Sequence, residues 1–265
     1  MTWDQMQPLL RDASLDTLFM VWWSTLYSVL GGLVLGIVLA LTDRGGLLCN
    51  AAVNKVLGAI TNIGRSLPFL ILTIALIPFT QTLVGTSLGP SAAVVPLTIG
   101  AIPFFARLVE VAVREVDPGL VEAAQAMGGG TWTVVFKVLL PQALPSLVAG
   151  VTTTVVALIG YSAMAGTVGG GGLGNLAIVY GYQRFETGLM VITVVLLIVL
   201  VTLVQLLGDL VVRRLTRRSS RADAPVRLLR SRRTRTTAAK APATAAPQDE
   251  PVPAAERADA ESAAV

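Results

Sequence analysis

The chain has 265 residues, 54% of them hydrophobic and only 14% charged, against roughly 25% charged in ordinary soluble domains; with a mean hydropathy of +0.72 it reads as a membrane protein. Histidine is absent and Cys49 is the sole cysteine, which removes the usual general base and metal ligand and excludes an internal disulfide or a thiolate zinc site. The net charge of +4 is uneven, with 8 basic and 10 acidic residues in 1–212 but 12 and 6 in 213–265, so the basic tail suits anionic lipid and not nucleic acid.

A spanning helix needs about 20 mostly apolar residues, and five such stretches follow in order. Residues 1–15 form a short segment expected outside the membrane. Thr17 to Leu41 is the first span, with Trp22 and Trp23 as interface residues. Its 25 uncharged residues exceed the apolar core of a secretory signal, and Arg11 is outnumbered before it by Asp4, Asp12 and Asp16, so it is expected to be retained. Ser66 to Ala106 is uncharged and too long for one helix. Gly85, Gly89 and Pro90 divide it into a second span, Val56 to Phe79, and a third, Ala92 to Val113. The fourth ends near Ala165, before GTVGGGGLGN, whose backbone cannot face lipid as helix. Thr187 to Val212 is the fifth.

Basic residues mark the cytoplasmic loops. Arg44, Lys55 and Arg65 follow or flank the first loop and Arg107, Arg114 and Lys137 the third, whereas the alternate loops hold none and Arg184. The expected topology is therefore an all-α, five-span protein with its N-terminus outside and its C-terminus in the cytoplasm. The transmembrane domain is 16–215, and residues 216–265 form a cytoplasmic tail. That tail is basic at first, then rich in Ala and Pro without aromatic residues, and is expected to be disordered.

The longest cytoplasmic loop, about 114–141, carries a polar helix. Asp117 and Pro118 are start signals and Gly128 a stop signal. Leu120, Ala124 and Met127 recur on one face, while Glu122 and Gln125 point elsewhere. Such a helix can lie in a partner's groove. Pro141 and Pro145 mark the return to the membrane, and Trp132 an interface anchor.

The run EAAQAMGGGTWTVVFKVLLP resembles the EAA loop of binding-protein-dependent ABC importer permeases. Glu122, Ala123, Ala124, Gly128, Leu140 and Pro141 match its pattern, Val138 stands where Ile is usual, and Gly129 and Gly130 are extra glycines expected to loosen the loop. RSLPFLILTIALIPFTQTLVGTSLGP, AAVVPLTIGAIPFFARLVE and GYSAMAGTVGGGGLGNLA extend the likeness, over roughly 15–216, to the permease subunits of methionine importers. The resemblance implies a type I ABC permease fold in a bacterial inner membrane. It also implies a coupling role for the matched loop residues, a second copy of the chain, two copies of a cytoplasmic ATPase and an external substrate-binding protein. The implied cargo is D- or L-methionine. The chain has no Walker A pattern, so it binds no cofactor of its own in this scheme and ATP is used by the partner ATPase.

Competing readings are narrower. The glycines at 169–172 lack the Lys-Ser or Lys-Thr of a phosphate cradle and suit an external turn. An ion-coupled secondary transporter usually carries mid-membrane carboxylates or histidine, yet Glu110 and Asp209 both fall near span ends. Importers of another amino acid or an osmoprotectant share the same loop. Tyr161, Ser162 and Met164 are candidates for the solute path, against ordinary packing. Arg65, inside apolar sequence, is a candidate functional cation or a side chain reaching the headgroups.

Overall fold

In the computed structural model the described backbone covers residues 3–238 and the described side chains end at Thr216. All regular structure in it is helical. Helix α1 (Trp3–Thr42) is 40 residues long, about 60 Å at 1.5 Å per residue. Residues 3–15 therefore continue the helix of the first span without a break. Leu10 and Ala13 explain the continuity, being buried with Leu173, Leu176 and Leu189.

The expected second span is the main departure. It divides into α2 (Ala51–Ser66), α3 (Phe69–Ala75) and α4 (Ile77–Val84), and α2 and α3 meet at a bend of 102°. Pro68 causes the break. Its ring disfavours helical geometry at the preceding residue, and Leu67 is extended at φ −75°, ψ 127°. Among the described residues four helical stretches are long and apolar enough to cross a membrane, or five when the bent pair is counted as one span.

Helix α5 (Pro90–Arg114) is the third span, and it is locked to α1 by small residues. Ser24, Ser28, Gly32 and Gly36, each four apart, are buried. A Cβ on Gly36 would lie 2.5 Å from the Ala106 carbonyl oxygen and 2.5 Å from Val109 Cβ. Such a stripe lets two backbones approach closely where no hydrophobic force drives helices together in lipid. The Ser24 and Ser28 hydroxyls donate to the carbonyls of Val94 and Thr98, each at 3.4 Å.

After the short helix α6 (Pro118–Ala126), α7 (Thr131–Val134) leads through a π-turn, Val135–Leu139, into α8 (Leu140–Thr167). The chain thus becomes helical again ten residues before Pro141. Pro141 has no N–H to give the preceding turn, and the π-turn just before it accommodates the altered bonding. The glycine cluster then breaks the chain, with positive φ at Gly169, Gly171 and Gly172. It continues as α9 (Gly172–Leu176), which is helical but mostly buried. Protein, not lipid, covers it, and Thr17 Oγ1 accepts from the Leu173 N–H at 2.9 Å.

The last helix, α10, runs Thr187–Ala238. Its segment to Thr216 is strongly apolar and only 11% buried over its most hydropathic window, which suits a lipid-facing helix. Helix persists through 216–238, where irregular chain was expected, in a stretch rich in the helix formers Arg, Leu and Ala. The expectation of disorder for 239–265 falls outside the described residues. So do the side chains beyond 216 that were expected to meet anionic lipid.

Candidate functional site

The polar loop helix is built at both ends from its own sequence. Asp117 caps the start, its carboxylate accepting from the Gly119 N–H at 2.8 Å, and Pro118 occupies the first turn, where a missing donor costs nothing. At the other end Gly128 has φ +82°. Its N–H donates to Gln125 O at 2.9 Å, and that of Gly129 to Ala124 O at 2.9 Å. These paired bonds form a Schellman cap, which satisfies the last carbonyls and needs a left-handed residue at Gly128.

Gly129 was expected to add looseness, but the structure gives it a packing role. A Cβ there would lie 2.7 Å from Ala124 O, so the second glycine permits the closing bond. Gly130 has open space around it.

The helix has two apolar edges. Val121 and Ala124 pack on the core cluster of Leu41, Phe105, Val109, Val113, Val134, Val135 and Leu139. Leu120 and Met127 face away, at 43% and 82% exposure. The expected single face of Leu120, Ala124 and Met127 is therefore split, with Ala124 holding the helix to the bundle and the other two presented outward. Glu122, Ala123 and Gly128 are exposed, Leu140 is half-buried and Pro141 exposed. Leu140 packs against the same core as Ala124, so the matched loop residues comprise outward members and an anchoring pair. Glu122 and Gln125 line a cleft of about 460 Å³ with Asp43, Arg44 and Arg114.

Beneath this helix lies a charge cluster that sequence inspection did not assemble. Buried Glu110 accepts from Arg107 at 2.7 Å and from Arg114 at 2.5 Å, and Arg114 reaches Asp43 at 2.8 Å. Removing a carboxylate from water is costly unless it is paired, and the i+3 and i+4 spacing of the arginines supplies the pairing from the same helix. That spacing was the available signal. The Asp43 link joins the C-terminal end of α1 to α5. Asn54 ties α2 to the same region by donating to Leu39 O at 2.9 Å.

The three candidate path residues are not brought together. Ser162 is buried and its hydroxyl donates to Ile159 O at 2.8 Å, a local bond that occupies its polar atom. Met164 is exposed. Tyr161 stacks on Phe69 with centroids 4.7 Å apart and borders a pocket that also includes Arg65.

The described residues thus form a bundle of apolar helices interrupted by one firmly capped, exposed helix. Residues 32–217 match the family described as the binding-protein-dependent transport system inner membrane component, and the chain belongs to that family. It is therefore an inner-membrane permease component. The probable D-methionine transport system permease protein MetI of Vibrio cholerae is 54% identical over 211 residues, covering 77% of this chain and 94% of that relative. The methionine import system permease protein MetP of Bacillus subtilis is 49% identical over 174 residues, covering 66% and 78%. Among solved structures, the MetNI methionine ABC transporter in an inward-facing conformation aligns with a TM-score of 0.80 and 46% identity, over 81% of this chain and 99% of that one. An amino acid ABC transporter with histidines aligns at 0.66 with 21% identity, over 79% and 95%, and shares the fold. The type I permease fold expected from the loop is thereby established.

Proposed function

We propose that this chain is the membrane-spanning subunit of an ATP-driven importer for methionine, in either enantiomer, delivered by a substrate-binding protein. The observation that carries the proposal is the likeness, at about half identity and over most of the chain, to methionine permeases and to the MetNI transporter. Two copies of the chain form the pore on two copies of a cytoplasmic ATPase. The N-terminus lies outside and the C-terminus inside, with the basic tail against anionic lipid.

In this scheme α6 is the coupling helix. Leu120, Ala123 and Met127 present an apolar surface to a cleft in the ATPase, with Glu122 at its edge, while Val121, Ala124 and Leu140 transmit displacement into the bundle. Gly128 and Pro141 fix the two ends of the connection. ATP binding moves the ATPases together, draws the coupling helices with them and opens the pore outward; hydrolysis returns it. Such a gate works only if ATP binds one state more tightly than the other.

The test is uptake of radiolabelled methionine by a methionine-auxotrophic strain lacking its own importer and expressing this chain with its co-encoded ATPase and binding protein. Uptake competed by methionine and not by betaine is expected. Co-purification with the ATPase without methionine uptake would keep the importer class and overturn the cargo, in favour of another amino acid or an osmoprotectant.

A further inference from the structure

Where the second span breaks, the helix end, the bend and two neighbouring spans enclose a pocket of about 230 Å³. Its walls come from α2 (Gly64, Arg65), the break (Leu67), α3 (Phe69, Leu72), α5 (Gly100, Phe104) and α8 (Tyr161). Three features set it apart from a packing defect.

Arg65 is the sole charged residue of the lining, and its guanidinium has no hydrogen-bond or ion-pair partner among the described residues. Charged side chains in spans normally pair with one another or with backbone carbonyls. The arginines of the Glu110 cluster obey that rule; Arg65, exposed at the pocket's rim, does not. The next charged residue along the chain is Arg107, so no carboxylate in the intervening sequence is available to it.

The remaining lining is aromatic and apolar. Phe69 and Tyr161 stack nearly parallel, at 11°, presenting ring edges and faces, and Phe104 is the third ring. Thioethers make favourable contacts with aromatic rings. Gly100 keeps the floor low, since a Cβ there would come within 3.2 Å of Leu72 Cδ2. Finally, non-helical backbone within a span is tolerated where it lines a cavity or is buried in protein, and discontinuous helices supply solute sites in many transporters.

We infer that Arg65, Phe69, Phe104 and Tyr161 form a solute station on the translocation path, where the guanidinium pairs with the carboxylate of an amino acid and the rings receive its apolar side chain. The station deepens the methionine-import proposal and rests on it. It also revises the sequence-based path: Tyr161 is retained, Arg65 joins it, and Ser162 and Met164 are left out. Arginine suits the task because its planar fork engages a carboxylate through two donors. A single cation without a fixed countercharge can also release the solute again.

The test uses the complete transporter, with its ATPase and binding protein, in proteoliposomes. Cys49 is exposed and is the only cysteine, so Cys49→Ser removes background labelling and Leu67→Cys places one thiol on the pocket wall. Maleimide labelling of Cys at that position during ATP turnover is expected to slow at least threefold with methionine. Protection should disappear with Arg65→Gln and return in part with Arg65→Lys. In the otherwise unaltered chain, Arg65→Gln is expected to lower methionine uptake at least tenfold while the ATPase remains bound and active. Normal methionine uptake by the unaltered complex combined with labelling indifferent to methionine, or with undiminished uptake by Arg65→Gln, would overturn the station alone. Absence of methionine uptake by the unaltered complex would instead overturn the cargo assignment, and the methionine station with it.

Discussion

Gly128→Ala offers a test of the loop helix in which backbone conformation is the main variable. A Cβ at this position meets nothing within 4 Å, so replacing Gly128 creates no clash, and any loss arises from holding an L-residue at φ +82°. That costs about 1–2 kcal/mol for alanine, which shifts the balance between capped and frayed helix end about 5- to 30-fold. Asparagine enters the left-handed region more readily and should lose less. Proline should lose most. Its ring holds φ near −65°, and it deletes the N–H that donates to Gln125 O, a further cost of about 1 kcal/mol. Methionine moved per ATP hydrolysed, measured in proteoliposomes with ATPase and binding protein, should therefore fall in the order glycine, asparagine, alanine, proline. The shift in the cap equilibrium is the upper bound on the alanine loss, because uptake cannot fall below the share of molecules still capped. Equal coupling across the series, or asparagine worse than alanine, would refute the idea that the left-handed cap positions the helix.

Glu122→Arg should leave the chain in the membrane fraction but cut uptake at least tenfold, as read by fractionation beside a transport assay; full uptake would remove Glu122 from the coupling surface. Gly36→Ala inserts a methyl group 2.5 Å from the Ala106 carbonyl oxygen, so about 1–3 kcal/mol of overpacking should lower the melting temperature of the purified protein, whereas Gly58→Ala, open on all sides, should not. Thr17→Val strands the buried Leu173 N–H at a cost of about 1–3 kcal/mol. It should also lower thermal stability by several degrees, and Thr17→Ser should restore most of it.

The order and rough position of the long helices could be read from the chain because membrane spans announce themselves by length and lack of charge. The ends of α5, α8 and the start of α10 fall close to where the uncharged runs and their glycines and prolines placed them. The second span was misread for a physical reason. Hydropathy registers the apolar character of Leu67 to Phe79, which is real, but not direction, and one proline turned the chain through 102° without altering the hydropathy at all. Pro68 was visible; Pro96 and Pro103 inside the unbroken α5 show why a proline alone does not reveal which outcome the packing selects. The small residues at 24, 28, 32 and 36 carried an i+4 signal for close helix contact, but not the identity of the partner helix, which depends on contacts some 70 residues away.

At the loop, residue spacing disclosed the helix, its cap and its exposed carboxylate because these are local. What spacing could not give was which apolar edge faced inward. Leu120, Ala124 and Met127 share one face by angle alone, yet the folded helix divides its apolar residues between two sides. The smaller ones, Val121 and Ala124, pack on the core, and the larger Leu120 and Met127 stay exposed. Gly129 makes the same point at the scale of one atom. By composition it is one more glycine and a source of slack; beside Ala124 O it is the residue that lets the helix close. What a glycine contributes is therefore set by its place in the fold: at Gly128 it is a left-handed φ in open space, and at Gly129 it is the atom that occupies the space a side chain would have taken.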